Sequence, residues 1–178
     1  MPDYISALDL FTIGIGPSSS HTLGPWRAAE RFLTELRAEN LLEVTARVKV
    51  NLYGSLSLTG KGHATDLAVM LGLSGQNPEY IPVENITKII QEIKKERKIH
   101  LGNEVDIEFQ IEDDIIFNKK FLSFHANALT FTAHLNDSKK YTSTFYSIGG
   151  GFVVKEERIN AKKKSIIKCA FPFPIDKA

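Results

Sequence analysis

From Glu43 to Tyr53 the chain reads EVTARVKVNLY, and its side chains alternate without a break. Val44, Ala46, Val48, Val50 and Leu52 fall on one face, and Thr45, Arg47, Lys49, Asn51 and Tyr53 on the other. A period of two marks a strand buried on one side and wetted on the other. A chain that contains it must build a sheet and cover one face of it.

The rest of the pattern supplies the cover. Trp26, Ala29, Phe32, Leu33 and Leu36 recur at helical spacing, and Gly24-Pro25 fits a helix start with proline in the first turn. ATDLAVMLGL predicts a helix stopped by Gly72 and Gly75, and GSLSLTGKGH before it predicts a loop. VENITKIIQEIKKERK predicts an amphipathic helix with Ile86, Ile89, Ile90 and Ile93 on its apolar stripe. VDIEFQI (Val105–Ile111) and LTFTAHL (Leu129–Leu135) alternate again. The Asn136-Asp137-Ser138 turn and YTSTFYSI make a hairpin with the latter. FVVK and SIIKCAF are short closing strands. Helices come early and antiparallel strands late, so the expected class is α+β: a mixed, largely antiparallel sheet packed against helices, not a doubly wound parallel fold.

A net charge of +1 on 178 residues argues against a nucleic-acid binder. The basic cluster Lys162, Lys163, Lys164 and Lys168 has no interleaved aromatic platform and reads as a solvated loop. One cysteine, Cys169, excludes a disulfide framework or a cysteine-held cluster within this chain. With no secretory signal and no run of about twenty apolar residues, a cytoplasmic protein with no membrane contact is expected. FPFPIDKA reads as a linker, giving a domain over residues 1–171 and the start of a linker at 172–178.

Four stretches carry chemistry. IGIGPSSSHTLGP (Ile13–Pro25) sets Ser18, Ser19, Ser20, His21 and Thr22 at a helix start. Unpaired backbone N–H groups there carry partial positive charge, and the hydroxyls add donors, so a carboxylate or phosphate fits. His21 adds a donor, or a charge near neutral pH. The same composition also describes an ordinary turn with an N-cap serine, and no Walker lysine follows. TGKGHATD (Thr59–Asp66) places His63 ahead of a helix, as a base, a ligand or a plain loop residue. FHANAL (Phe124–Leu129) spaces His125 and Asn127 two apart, on one side of an extended segment, or in a polar loop. FYSIGGGFV carries Ser147 and then Gly149, Gly150 and Gly151, which permit close backbone approach or positive φ. His100 and His134 read as surface residues.

Taken in this order, DLFTIGIGPSSSHTLGP, GSLSLTGKGHATD, the His125/Asn127 stretch and FYSIGGGF resemble the β domain of the bacterial iron–sulfur L-serine dehydratases. The resemblance runs from Leu8 to about Pro174. Ala126, Ala128 and Leu129 stand where the family carries proline, glycine and methionine. The fold implied is that of the serine-metabolism domain, also found as a regulatory insert in some phosphoglycerate dehydrogenases.

The resemblance implies an ammonia-lyase reaction, L-serine to pyruvate and ammonia. Its [4Fe–4S] cluster would be held by three cysteines of an α domain or subunit outside this chain, with an open iron acting as a Lewis acid on the serine hydroxyl. Pyridoxal phosphate is not expected. By the same resemblance Ser18, Ser19, Ser20, His21 and Thr22 would bind substrate, Asn127 and Ser147 would orient it, and Gly149–Gly151 would admit the backbone. His63 and His125 are the candidates for proton transfer. This chain would bind no metal itself and would be inactive alone. The family implies a homodimer or an α/β pair. A regulatory serine-binding module without catalytic residues is the alternative, and a plain interaction domain a third.

Overall fold

The computed structural model describes residues 18–157. SIIKCAF, the basic cluster, Cys169 and the FPFPIDKA segment lie outside them. A single π-helical turn, Ser19–Leu23, runs directly into α1 (Gly24–Ala38), with Pro25 in its first turn. β1 (Thr45–Gly54) follows, then α2 (Ser55–Thr59), a 3-10 turn (Gly60–His63) and α3 (Thr65–Leu73). Next come α4 (Val83–Glu96), β2 (Lys98–Leu101), β3 (Val105–Glu108), α5 (Ile111–Asp114) and β4 (Ile115–Phe117). β5 (Asn127–Leu135), β6 (Lys140–Gly149) and β7 (Phe152–Lys155) complete the described chain.

The strands form one seven-stranded sheet in the order β2-β3-β1-β5-β6-β7, with β4 also on β1. β1, β5, β6 and β7 pair antiparallel in sequence, as do β2 and β3. β3 and β4 share the other edge of β1 and run parallel to it, through Arg47–Glu108 and then Val50–Ile115 to Leu52–Phe117. The α+β expectation and the β5–β6 hairpin are met.

The core lies between the sheet and α1 and α3. Val48, Val50 and Leu52 of β1 are fully buried, and Phe32 of α1 stacks on Phe131 of β5 with ring centroids 5.0 Å apart. Burial of each such side chain contributes about 1.5–3 kcal/mol. Trp26 is buried as well and donates Nε1–H to Gln76 O at 2.7 Å.

Several local expectations are corrected. The alternation of β1 breaks at its start, where the register slips between Thr45 and Arg47. Such a bulge inserts one residue and reverses the faces before it. Thr45 is therefore buried, its hydroxyl on Leu41 O, while Val44 is 41% exposed and Ala46 faces solvent. Gly72 does not stop α3. It lies inside the helix, where a Cβ would come within 2.7 Å of Ala29 Cβ and Trp26 O, so it lets α1 and α3 touch. Gly75, at φ +72, follows the helix end. The GSLSLTGKGH loop is helical from Ser55 to His63, pinned by the buried Leu56. The strand expected to reach Ile111 ends at Glu108, and α5 begins at Ile111. Asp114, fully buried, draws the chain round by accepting from Gln110 N at 2.8 Å and Arg47 Nε at 2.7 Å. The short β2 and β4 had no separate signal. His100 is exposed and pairs with Asp106 at 2.8 Å, and His134 is half-buried opposite Arg47 and Lys140.

Candidate functional site: a serine turn flanked by histidines

The serine turn is held from behind at every carbonyl. Ser18 O accepts from Thr22 N at 2.8 Å and Ser19 O from the Gly24 amide. Ser20 O accepts from the Ser147 hydroxyl at 2.8 Å, and His21 O from the Thr65 hydroxyl at 2.6 Å. Four consecutive acceptors are thus engaged, two by the helical turn itself and two by side chains of β6 and α3. The amides of Ser19, Ser20 and His21 precede the first rung of the helix, and the hydroxyls of Ser18, Ser19 and Ser20 belong to residues that are only partly buried or exposed. The open side of the turn is rich in donors and poor in acceptors.

Two of the candidate hydroxyls serve the scaffold. Thr22, nearly buried, donates to His63 O at 3.0 Å, and Ser147 is fully buried. Gly24 permits the second contact, because a Cβ there would lie 1.9 Å from Ser147 Oγ. Together the Thr22–His63 and Thr65–His21 bonds clamp the serine turn to the 3-10 turn that carries His63 and to the start of α3.

The two imidazoles consequently sit side by side, with ring centroids 5.0 Å apart and planes tilted by 51°. Neither nitrogen of His21 is free. Nδ1 lies 2.9 Å from Ser20 Oγ and Nε2 lies 2.9 Å from Ser55 Oγ. Ser20 in turn lies 3.4 Å from Ser18 Oγ. The motif reading passed over Ser55, because nothing in GSLSL distinguishes it from a loop serine. His63 Nδ1 is buried and has no hydrogen-bond partner.

The third stretch arrives from β5. Gly54 of β1 pairs with Asn127, and the Ser55 amide donates to Ala126 O at 2.9 Å, which brings the His125–Asn127 segment beside α2. Asn127, buried, donates Nδ2–H to Ser147 O at 3.3 Å, and its own amide donates to His125 Nδ1 at 3.1 Å. An imidazole nitrogen that accepts an N–H carries no proton, so in its neutral form His125 holds its proton on Nε2. The glycine triplet makes the β6–β7 turn, all three residues at positive φ (+101, +59 and +78). Gly150 and Gly151 line a groove of about 440 Å³ with Leu23, Arg27, Glu30, Arg31 and Phe152, along α1. Phe121, Phe124, Leu58 and Ile148, all exposed, belong to the segments that carry Ser55, His125 and Ser147.

Burial holds the His21 imidazole below its ordinary pKa; the neighbouring His63 adds to the shift and a hydrogen bond to Ser55 opposes it. Acidification therefore protonates His21 in the unfolded chain first. The stability contributed by neutral His21 is complete above about pH 6.5 and is lost as pH falls through the lowered folded value. In an NMR titration the His21 ring is expected to protonate at lower pH than free imidazole; titration at or above the free value would contradict its burial.

Among the described residues no group of three His, Cys, Asp or Glu side chains could hold a metal ion, and no helix is long and apolar enough to cross a membrane.

Fold and site define an α+β domain that turns a donor-rich helix start, flanked by histidines, toward one end of its sheet. The chain belongs to the serine dehydratase beta chain family, which residues 6–158 match. It is 42% identical over 170 residues to L-serine dehydratase 2 of Escherichia coli, covering 95% of this chain and 37% of that protein. It is 44% identical over 172 residues to an L-serine dehydratase of Streptomyces coelicolor and 40% identical over 172 to one of Haemophilus influenzae, each covered over 38% of its length. The chain thus spans less than two fifths of these relatives.

Proposed function

We propose that this chain is the substrate-gripping part of an L-serine ammonia-lyase, which converts L-serine to pyruvate and ammonia at a site completed by a second domain or subunit. The observation that carries the proposal is the serine turn: four bonded carbonyls, donors left over, and two imidazoles with centroids 5.0 Å apart. The substrate carboxylate lies against the amides and hydroxyls of Ser18–Ser20. His21 stiffens that cradle from behind, Thr22 and Ser147 brace it, and Asn127 fixes the neighbouring strand end.

His63 takes the Cα proton, which is too weakly acidic to leave unaided. Its ring lies beside that of His21, centroids 5.0 Å apart, and its carbonyl is tied to Thr22. His125 offers the proton on Nε2 as a hydrogen-bond donor to substrate oxygen, since its Nδ1 is held by the Asn127 amide. Once water is lost, the enamine rearranges to the imine and hydrolyses without further help.

The iron–sulfur cluster implied by the family does not fit this chain, whose one cysteine cannot supply three thiolates. It belongs, in this proposal, to the domain represented by the remaining length of the relatives. That domain packs over the exposed Leu58, Phe121, Phe124 and Ile148, within a cytoplasmic dimer or α/β pair. In this proposal the β domain is assigned to residues 1–171.

The isolated chain is expected to bind L-serine and to release no pyruvate. Two-dimensional NMR should show shifts confined to Ser18–Thr22 and their neighbours with L-serine, and weaker ones with D-serine. Pyruvate from a metal-free preparation would refute the division of labour.

A further inference from the structure

We infer that Ser55 is a positioning residue. Its hydroxyl holds His21 in a single tautomer, and the direction of the hydrogen-bond chain through that ring decides whether Ser20 offers a proton to an anion. The inference rests on the proposal that the serine turn holds a carboxylate.

The geometry is a chain of four groups: Ser55 Oγ, His21 Nε2 and Nδ1, Ser20 Oγ and Ser18 Oγ, with steps of 2.9, 2.9 and 3.4 Å. A neutral imidazole has one donor and one acceptor nitrogen. The chain therefore runs in one of two senses. If Ser55 donates to Nε2, then Nδ1–H donates to Ser20 Oγ and the Ser20 proton is released toward the open side of the turn. If instead Nε2–H donates to Ser55, the Ser20 proton is drawn back to Nδ1 and the turn loses a donor. An anion at Ser20 selects the first sense, and only a hydroxyl at position 55 can complete it. Burial favours the neutral ring, which keeps one nitrogen bare to accept from a neighbouring hydroxyl.

Ser55 is built for the task. Its amide is fixed on Ala126 O, at the first residue of α2, directly after the Gly54 bend. The hydroxyl is therefore presented by backbone that is tied to β5, not by a free loop. One residue links the serine turn of α1 to the strand end that carries His125 and Asn127.

The test compares the 178-residue chain with its Ser55→Ala and Ser55→Thr variants, reading the His21 ring nitrogens by 15N NMR. In the wild-type chain the two nitrogens should be widely separated, one protonated and one bare. Ser55→Ala should draw them together toward an averaged tautomer, and Ser55→Thr should restore the separation. Unchanged ring shifts in Ser55→Ala would overturn the inference. The same samples are then titrated with L-serine and with acetate. Saturation should leave Nδ1 as the protonated nitrogen, and Ser55→Ala should weaken binding about three- to tenfold, the worth of one hydrogen bond. Binding with Nε2 protonated would also overturn it. A wild-type chain with no response at Ser18–Thr22 would remove the carboxylate proposal, while the ring shifts still decide whether Ser55 governs His21. Amide dispersion across β5 and β6 reports whether each variant is folded.

Discussion

In the enzyme assembled with its cluster-bearing partner, replacing His63 or His125 by asparagine should lower turnover by about 10²–10⁴-fold, the usual contribution of a positioned proton-transfer group. Folding should be almost untouched. The His63 ring makes no hydrogen bond through its buried Nδ1, and the bond that fastens the 3-10 turn goes to its backbone carbonyl, which any residue retains. His125 precedes β5 and is partly exposed. The two losses should differ in kind. In the proposed roles, His63→Asn removes the base and should depress kcat. His125→Asn removes a donor to substrate and should also raise KM. Near-normal turnover in both variants would take these histidines out of the reaction. A matching fall in melting temperature would show that they act on the fold.

The second large effect is expected at Gly54. Its backbone has φ +55 and ψ −125, and a Cβ there would sit 2.2 Å from Ala126 O and 2.9 Å from Phe121 Cδ1. Gly54→Ala therefore combines a strained backbone, about 1–3 kcal/mol, with overpacking of about 1–3 kcal/mol. Gly149 separates the two. Its φ is +101, yet nothing lies within 4 Å of its ideal Cβ, so Gly149→Ala should lose only the backbone part. Urea midpoints measure both. Equal losses would mean that the approach of β1 to the Ala126 carbonyl is not tight. Because Gly54 aims Ser55, the alanine variant should also weaken L-serine binding before it unfolds.

The elements legible in the sequence are those whose stability comes from one apolar face. β1, β5, β6, α1 and α4 have long periodic stripes, so their existence follows from pattern alone. Elements held by tertiary contacts escaped. β2 and β4 are four and three residues long and exist because β1 and β3 offer free edges. α2 is five residues and needs its Leu56 anchor. The bulge at the start of β1 is likewise a property of pairing with β5, invisible in a strand that alternates faultlessly. Gly72 misleads for a related reason: a glycine that ends a helix and a glycine that admits a neighbouring helix look alike until the neighbour is in place.

The site divides in the same way. Motif order singles out the serine turn, His63, the His125–Asn127 pair and the glycine triplet as candidates, because these stretches are chemically unusual. It could not tell which hydroxyls face out. Thr22 and Ser147 turn inward, whereas Ser55, an undistinguished serine, reaches His21. Orientation of a hydroxyl depends on what packs behind it, and that is set by contacts between residues far apart in sequence.

A turn whose four successive carbonyls are already bonded leaves chiefly its donors to whatever approaches it. It favours an acid group over an ammonium group, which finds only hydroxyl oxygens there. An amino acid seated there is polarised end to end, acid inward and amine outward, before any reacting group comes near.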